Sequence, residues 1–145
     1  MSKKIKKYEL PDNIFKSYND AIRNNPTWSF DAADVNLDKW NFFKNANESI
    51  LLQLKAFEGM TWFEIEKASG GRTKGTNNHF VKINELSKEA QQEILKLKYI
   101  DDKICSLFSL RLSGKIRMYG IREETTGLFK IIWLDFNHEI YMLEK

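Results

Sequence analysis

Leu107 to Tyr141 reads LFSLRLSGKIRMYGIREETTGLFKIIWLDFNHEIY. Apolar residues there alternate with polar ones or run together over strand-length stretches. Ser113-Gly114, Thr126-Gly127 and Asp135-Phe136-Asn137 supply turn chemistry between them. The spacing predicts an antiparallel meander of about four strands over 104–143. Arg111, Lys115, Arg117 and Arg122 fall on its first two strands, and His138 and Tyr141 at its end. Cations beside a histidine and a tyrosine can hold an RNA phosphate and move protons around it. The same residues also suit a solvated sheet face, with Glu123, Glu124 and Asp135 as ion-pair partners.

Upstream the pattern is helical. Residues 1–36 read as an N-terminal arm, a short helix after Pro11 with Ile14, Phe15, Tyr18 and Ile22 on one side, and a turn into an extended piece that Trp28 and Phe30 pin to the core. Leu37, Trp40, Phe43, Ile50, Leu51, Leu54 and Phe57 recur at helical spacing, with a break near Asn45 to Asn47 and a stop at Glu58-Gly59. In the run Trp40 to Phe43, Phe42 falls on the far, exposed face. Thr61 and Glu64 form a capping box for a helix from Trp62 to Ala68. A basic loop over 69–78 precedes a strand from His79 to Ile83, and Ser87 caps a helix over KEAQQEILKLKYI. The expectation is one α+β domain over 1–145, with a helical part over 37–100 packed on a C-terminal sheet.

Composition narrows the class. With 42% hydrophobic and 13% aromatic residues the chain can bury a core, and no apolar run reaches the ~20 residues needed to span a bilayer. A net charge of +3 is too small for nucleic-acid binding by bulk charge, so the distribution of cations matters more than their number. The single cysteine, Cys105, has no disulfide partner and reads as a buried small hydrophobe in a reducing, cytoplasmic protein.

Several chemistries are disfavoured. Gly70 to Gly75 has GxxxxG spacing without the Lys-Ser/Thr and the preceding strand of a P-loop. Its Arg72 and Lys74 suit RNA-backbone contacts, with His79 a further candidate, or a plain surface loop. His79, Cys105 and His138 lack metal-ligand spacing, and no G-x-S-x-G occurs, so neither a metal site, a cofactor nor a serine hydrolase is expected. Trp40, Trp62 and Trp133 read as core residues.

The string Leu110-Arg111-Leu112-Ser113-Gly114-Lys115-Ile116-Arg117, followed by the strand IIWLD and by His138 and Tyr141, resembles the sheet of RelE/ParE-superfamily toxins. The resemblance lies in an L-R-x-x-G-x-x-R-like stretch and covers only the C-terminal sheet; the segment from Asn24 to Ala68 has no counterpart. It implies a RelE-like fold, a metal-independent endoribonuclease acting on mRNA, usually on the ribosome, and a cognate antitoxin as partner. It also implies catalytic roles for Arg111, Arg117, His138 and Tyr141; charge and reach, apart from the resemblance, make Lys115, Arg122, Arg72 and Lys74 candidates for contacting RNA. The competing expectation is a non-enzymatic RNA- or protein-binding module using the same basic sheet. A third is a toxin-like fold recruited to phage defence or regulation.

Overall fold

The computed structural model describes residues 21–68, 77–98, 100 and 103–141. Of the helix expected after Pro11 only the end is described: Ala21 to Arg23 are helical and Ile22 packs on the core. Its part around Ile14 to Tyr18, and Arg72 and Lys74 of the basic loop, lie outside the described residues.

The architecture is α+β, built on a mixed sheet of five strands: β1 (Thr27–Ser29), β2 (His79–Lys82), β3 (Ser106–Ser113), β4 (Ile116–Arg122) and β5 (Leu128–Asp135), in the order β1-β5-β4-β3-β2. The helices that lie wholly within the described residues are α1 (Phe42–Asn45), α2 (Glu48–Glu58), α3 (Trp62–Lys67) and α4 (Lys88–Ile94), with a short 3-10 turn at Ile83–Glu85.

The meander expected over 104–143 holds three strands, and the sheet is not purely antiparallel. β2 adds to one edge antiparallel to β3, and β1 adds to the other parallel to β5. Among the described residues no strand follows Asp135, because its carboxylate takes up the N–H groups of Asn137, Glu139 and Ile140 and folds the segment into a turn. Beyond β1 the outer edge of β5 is still occupied. Asp34 N–H donates to the Ile132 carbonyl, and Leu134 N–H donates to the Trp40 carbonyl. That backbone use explains why Trp40 is not helical as expected: its carbonyl serves a sheet edge that would otherwise be open.

Local signals set the helix starts. Asn41 and Asn47 cap α1 and α2 by accepting from Lys44 N–H and Ile50 N–H, so the expected break falls between two capped helices. The capping box forms as read: Glu64 N–H donates to Thr61 Oγ1 at 3.2 Å, and Thr61 N–H donates to Glu64 Oε1 at 2.9 Å. Ser87 caps α4, but that helix ends at Ile94 rather than near Ile100, and Leu95 is 81% exposed.

Strand alternation divides the core in two. On one face Phe108, Leu110, Met118 and Phe129 pack against Phe42, Ile50, Trp62 and Ile65 of α1 to α3. On the other, Leu107, Tyr119 and Trp133 pack against Trp40, Ala90 and Ile94. All three expected core tryptophans are buried. Phe42 turns inward at 4% exposure and Phe43 outward at 56%, the reverse of the expectation, because capped α1 starts at Phe42 and aims it at the sheet. Trp28 packs edge-on to Phe129, whereas Phe30 stays partly exposed against Phe42 and Phe43. Cys105 is exposed, not buried: it precedes β3, and its carbonyl accepts from Ile83 N–H while its side chain faces outward. Among the described residues no helix is long and apolar enough to cross a membrane.

Candidate functional site

The hairpin between β3 and β4 brings the two arginines of the Leu110–Arg117 string together. Arg111 is the direct cross-strand partner of Arg117, and Arg117 is that of Asp135 on β5. Directly opposed residues project to one side, so three charged side chains stand in a row on the Tyr119–Trp133 face. Two like charges in register oppose each other at a cost of about 0.2–1 kcal/mol unless something compensates.

Part of the compensation is a shared acceptor. Arg111 Nε donates to the Gly114 carbonyl at 3.0 Å, and Arg117 Nη1 donates to the same oxygen at 2.8 Å and to the Ile116 carbonyl at 3.3 Å. Arg111 Nη1 also donates to Asn77 Oδ1, and the buried Asn78 side chain accepts from Arg111 N–H while donating to the Ile65 carbonyl. Both guanidiniums thus converge on the hairpin tip, where Lys115 is exposed. Arg111 is half-buried, and Arg117 is 4% exposed.

Asp135 is fully buried at the far end of the row. Burial pushes its carboxyl above the usual aspartate range, with the nearby Glu139 charge adding to the rise and the three backbone N–H donors opposing it. The turn it organises holds His138 at φ 59, a left-handed conformation that histidine tolerates better than bulkier or β-branched residues, and leaves the side chain half-buried. Tyr141 follows, its ring centroid 6.1 Å from that of His79 on β2.

Arg122 sits elsewhere. It lies on the opposite face, its side chain 2% exposed, paired with Glu66 and surrounded by the rings of Trp62, Phe80 and Phe108 at about 5 Å. It is committed to α3 and the aromatic core. Because Arg122 is buried and Glu66 is not, breaking the pair from the Glu66 side is the costlier cut. Glu66→Ala is expected to cost about 2–4 kcal/mol, whereas Arg122→Met, which keeps the volume and leaves Glu66 near water, costs less. Chemical denaturation of the two variants checks the order.

The structure therefore brings Arg111, Arg117 and Lys115 to one hairpin end and attaches the His138–Tyr141 segment to the same row through Asp135. It turns Arg122 away. Three contributors escaped sequence reading: Asp135 as an organiser, Asn77-Asn78 as a clamp on Arg111, and His79 as a neighbour of Tyr141. The D-x-N spacing before His138 was a legible signal for an Asx-type turn. Among the described residues no group of three or more His, Cys, Asp or Glu is placed to hold a metal ion.

Fold and site together define an α+β protein with a cation-lined end on a mixed sheet. No family model, curated protein or solved structure matches the chain.

Proposed function

We propose that this chain is a RelE-like toxin, an endoribonuclease that cuts mRNA without a metal, with the ribosome as its setting and a cognate antitoxin covering the same end of the sheet. The observation that carries the reading is the opposed pair Arg111 and Arg117, converging on the Gly114 carbonyl beside the exposed Lys115. Such a cluster favours a dianionic phosphate in the transition state over the singly charged ground state. In this reading Arg111 and Arg117 hold the phosphate, Lys115 adds charge, His138 transfers a proton and Tyr141 orients the base. RNA is gripped by moving the guanidiniums from the backbone carbonyls to phosphate oxygens, a stronger charge-assisted acceptor.

The second reading is a binding module that cuts nothing. The low exposure of Arg117 favours it, since a guanidinium already bonded to two carbonyls can serve as a hairpin brace while Lys115 and Arg111 meet RNA backbone.

Controlled expression with primer extension on cellular messages separates the two. A ribonuclease gives growth arrest and discrete new RNA ends, which Arg111→Ala or His138→Ala reduces by about 10²–10⁴-fold. A soluble protein that leaves growth and messages intact, but binds RNA with steep salt dependence, sinks the enzyme reading in favour of the module.

A further inference from the structure

We infer that the chain pairs with a second copy of itself through the groove between β1 and α2, an assignment that goes beyond the proposed function and does not depend on it. The groove holds about 630 Å³. Trp28 and Phe30 line one side, and Leu51, Leu54, Lys55 and Glu58 of α2 line the other.

The helix sets an apolar stripe here that its own core does not cover. Leu51, Lys55 and Glu58 recur at i, i+4 and i+7 along α2, while Leu54 beside them is buried against the sheet. Leu51 is left exposed. So are Phe30, just after β1, and Phe43 of α1, whose ring centroid lies 5.6 Å from that of Phe30. Three of the eight large apolar side chains exposed among the described residues therefore gather at this one groove. Aromatic and aliphatic groups clustered in this way have the composition of an interface centre rather than of a solvated surface.

The walls are fixed before a partner arrives. Trp28 Nε1 donates to Glu58 Oε2 at 2.9 Å, and Asn25 Nδ2 donates to the Glu58 carbonyl at 2.9 Å, so the end of α2 is tied to the strand. A surface already held in place gives up little conformational freedom on association.

Charge selects the occupant. Glu58 is drawn toward Trp28, and the exposed Lys55, one turn earlier, has no ion-pair partner among the described residues. One anion and one cation stand side by side. An acidic peptide would meet Glu58 as a like charge, and a basic one would meet Lys55. A two-fold axis passing between them satisfies both, with Lys55 facing Glu58 of the partner subunit and Glu58 facing the partner subunit's Lys55. The apolar side chains of the two copies then cover one another. β1 is the outermost strand on this side, but three residues behind Pro26 make a short edge, so the apolar face and the crossed pairs carry the contact. The arginine row lies on the other face of the sheet, so pairing leaves it open.

Sedimentation equilibrium of the full chain from about 1 to 100 μM tests the assignment. A reversible dimer is expected. Leu51→Asp changes an exposed side chain and should weaken it at least about tenfold, as should Lys55→Glu or Glu58→Lys, each of which sets two like-charge contacts across the axis. Mixing the Lys55→Glu chain with the Glu58→Lys chain should restore association as a one-to-one heterodimer, because the two reversals complement each other. That rescue separates a lost contact from a lost fold, since a misfolded chain is not recovered by mixing. A wild-type chain that stays monomeric at about 100 μM overturns the assignment. So does a dimer that Leu51→Asp leaves intact, or a pair of charge variants that remain monomeric when mixed.

Discussion

Gly120→Ala is expected to destabilise the protein by at least about 3 kcal/mol, the upper end of what overpacking costs. Gly120 lies mid-β4, where alanine is ordinarily the better strand residue. Here a Cβ would come within 2.3 Å of the Lys130 carbonyl oxygen and 2.5 Å of the Phe129 ring. The ring belongs to an aromatic stack that also contains Trp28, Trp62 and Phe108, and it lies over the bare glycine. The carbonyl belongs to the β4–β5 ladder beside the irregular register at Tyr119–Gly120. Relief requires opening that ladder or ejecting a buried aromatic. Thermal melting should show a fall of roughly 10 °C. Phe129→Leu in the same chain would remove the ring clash alone, so it should not recover the loss. A Gly120→Ala variant melting within a degree or two of wild type would mean that the two strands are not this close.

The same neighbourhood shows what a sequence can reveal. Thr61 and Glu64 satisfy donors within four residues of themselves, so the capping box is legible from those residues alone. The β3–β4–β5 meander is legible because its turns sit between consecutive strands. β1 is not: three residues, Thr27–Ser29, find their partner about a hundred positions downstream at Leu128–Lys130, in a parallel pairing that no local signal specifies. Its shortness leaves little hydrophobic alternation to read.

Side-chain facing follows the same rule. Arg111 and Arg117 were legible as candidates, but their direct opposition depends on register, and a one-residue slip would have separated them. Arg122 was read with them as a surface cation. It shares a face with Met118 and Gly120, and strand periodicity alone would have sent it to the α3 side, where Glu66 meets it. Cys105 and Phe42 were misread because each lies at an element end, where one residue of boundary error reverses the side chain.

Asp135→Ala is expected to cost about 3–5 kcal/mol and to abolish whatever the His138 segment does. Its two oxygens accept from Asn137, Glu139 and Ile140 at 2.7–3.2 Å in a site closed to water, so truncation orphans three donors at once. Ile140 is itself buried, and its carbonyl receives Ser87 N–H, so slackening this turn also loosens the start of α4. Asp135→Asn should be milder, because one carbonyl oxygen remains and only the other oxygen's partners are lost. The pair also carries a pH signature. Burial raises the Asp135 pKa in the folded state, so between the ordinary aspartate value and the raised one the folded chain binds more protons than the unfolded chain. The stabilisation from this group is therefore full below the ordinary value and is lost as pH rises through the folded one. Asp135→Asn removes that slope, so the melting-temperature difference between wild type and variant should shift in favour of wild type as the solution is acidified across this window. A constant difference would place the Asp135 carboxyl within the ordinary range. If Asp135→Asn folds but loses RNA cleavage together with His138→Ala, the carboxylate acts on the chemistry by holding the turn.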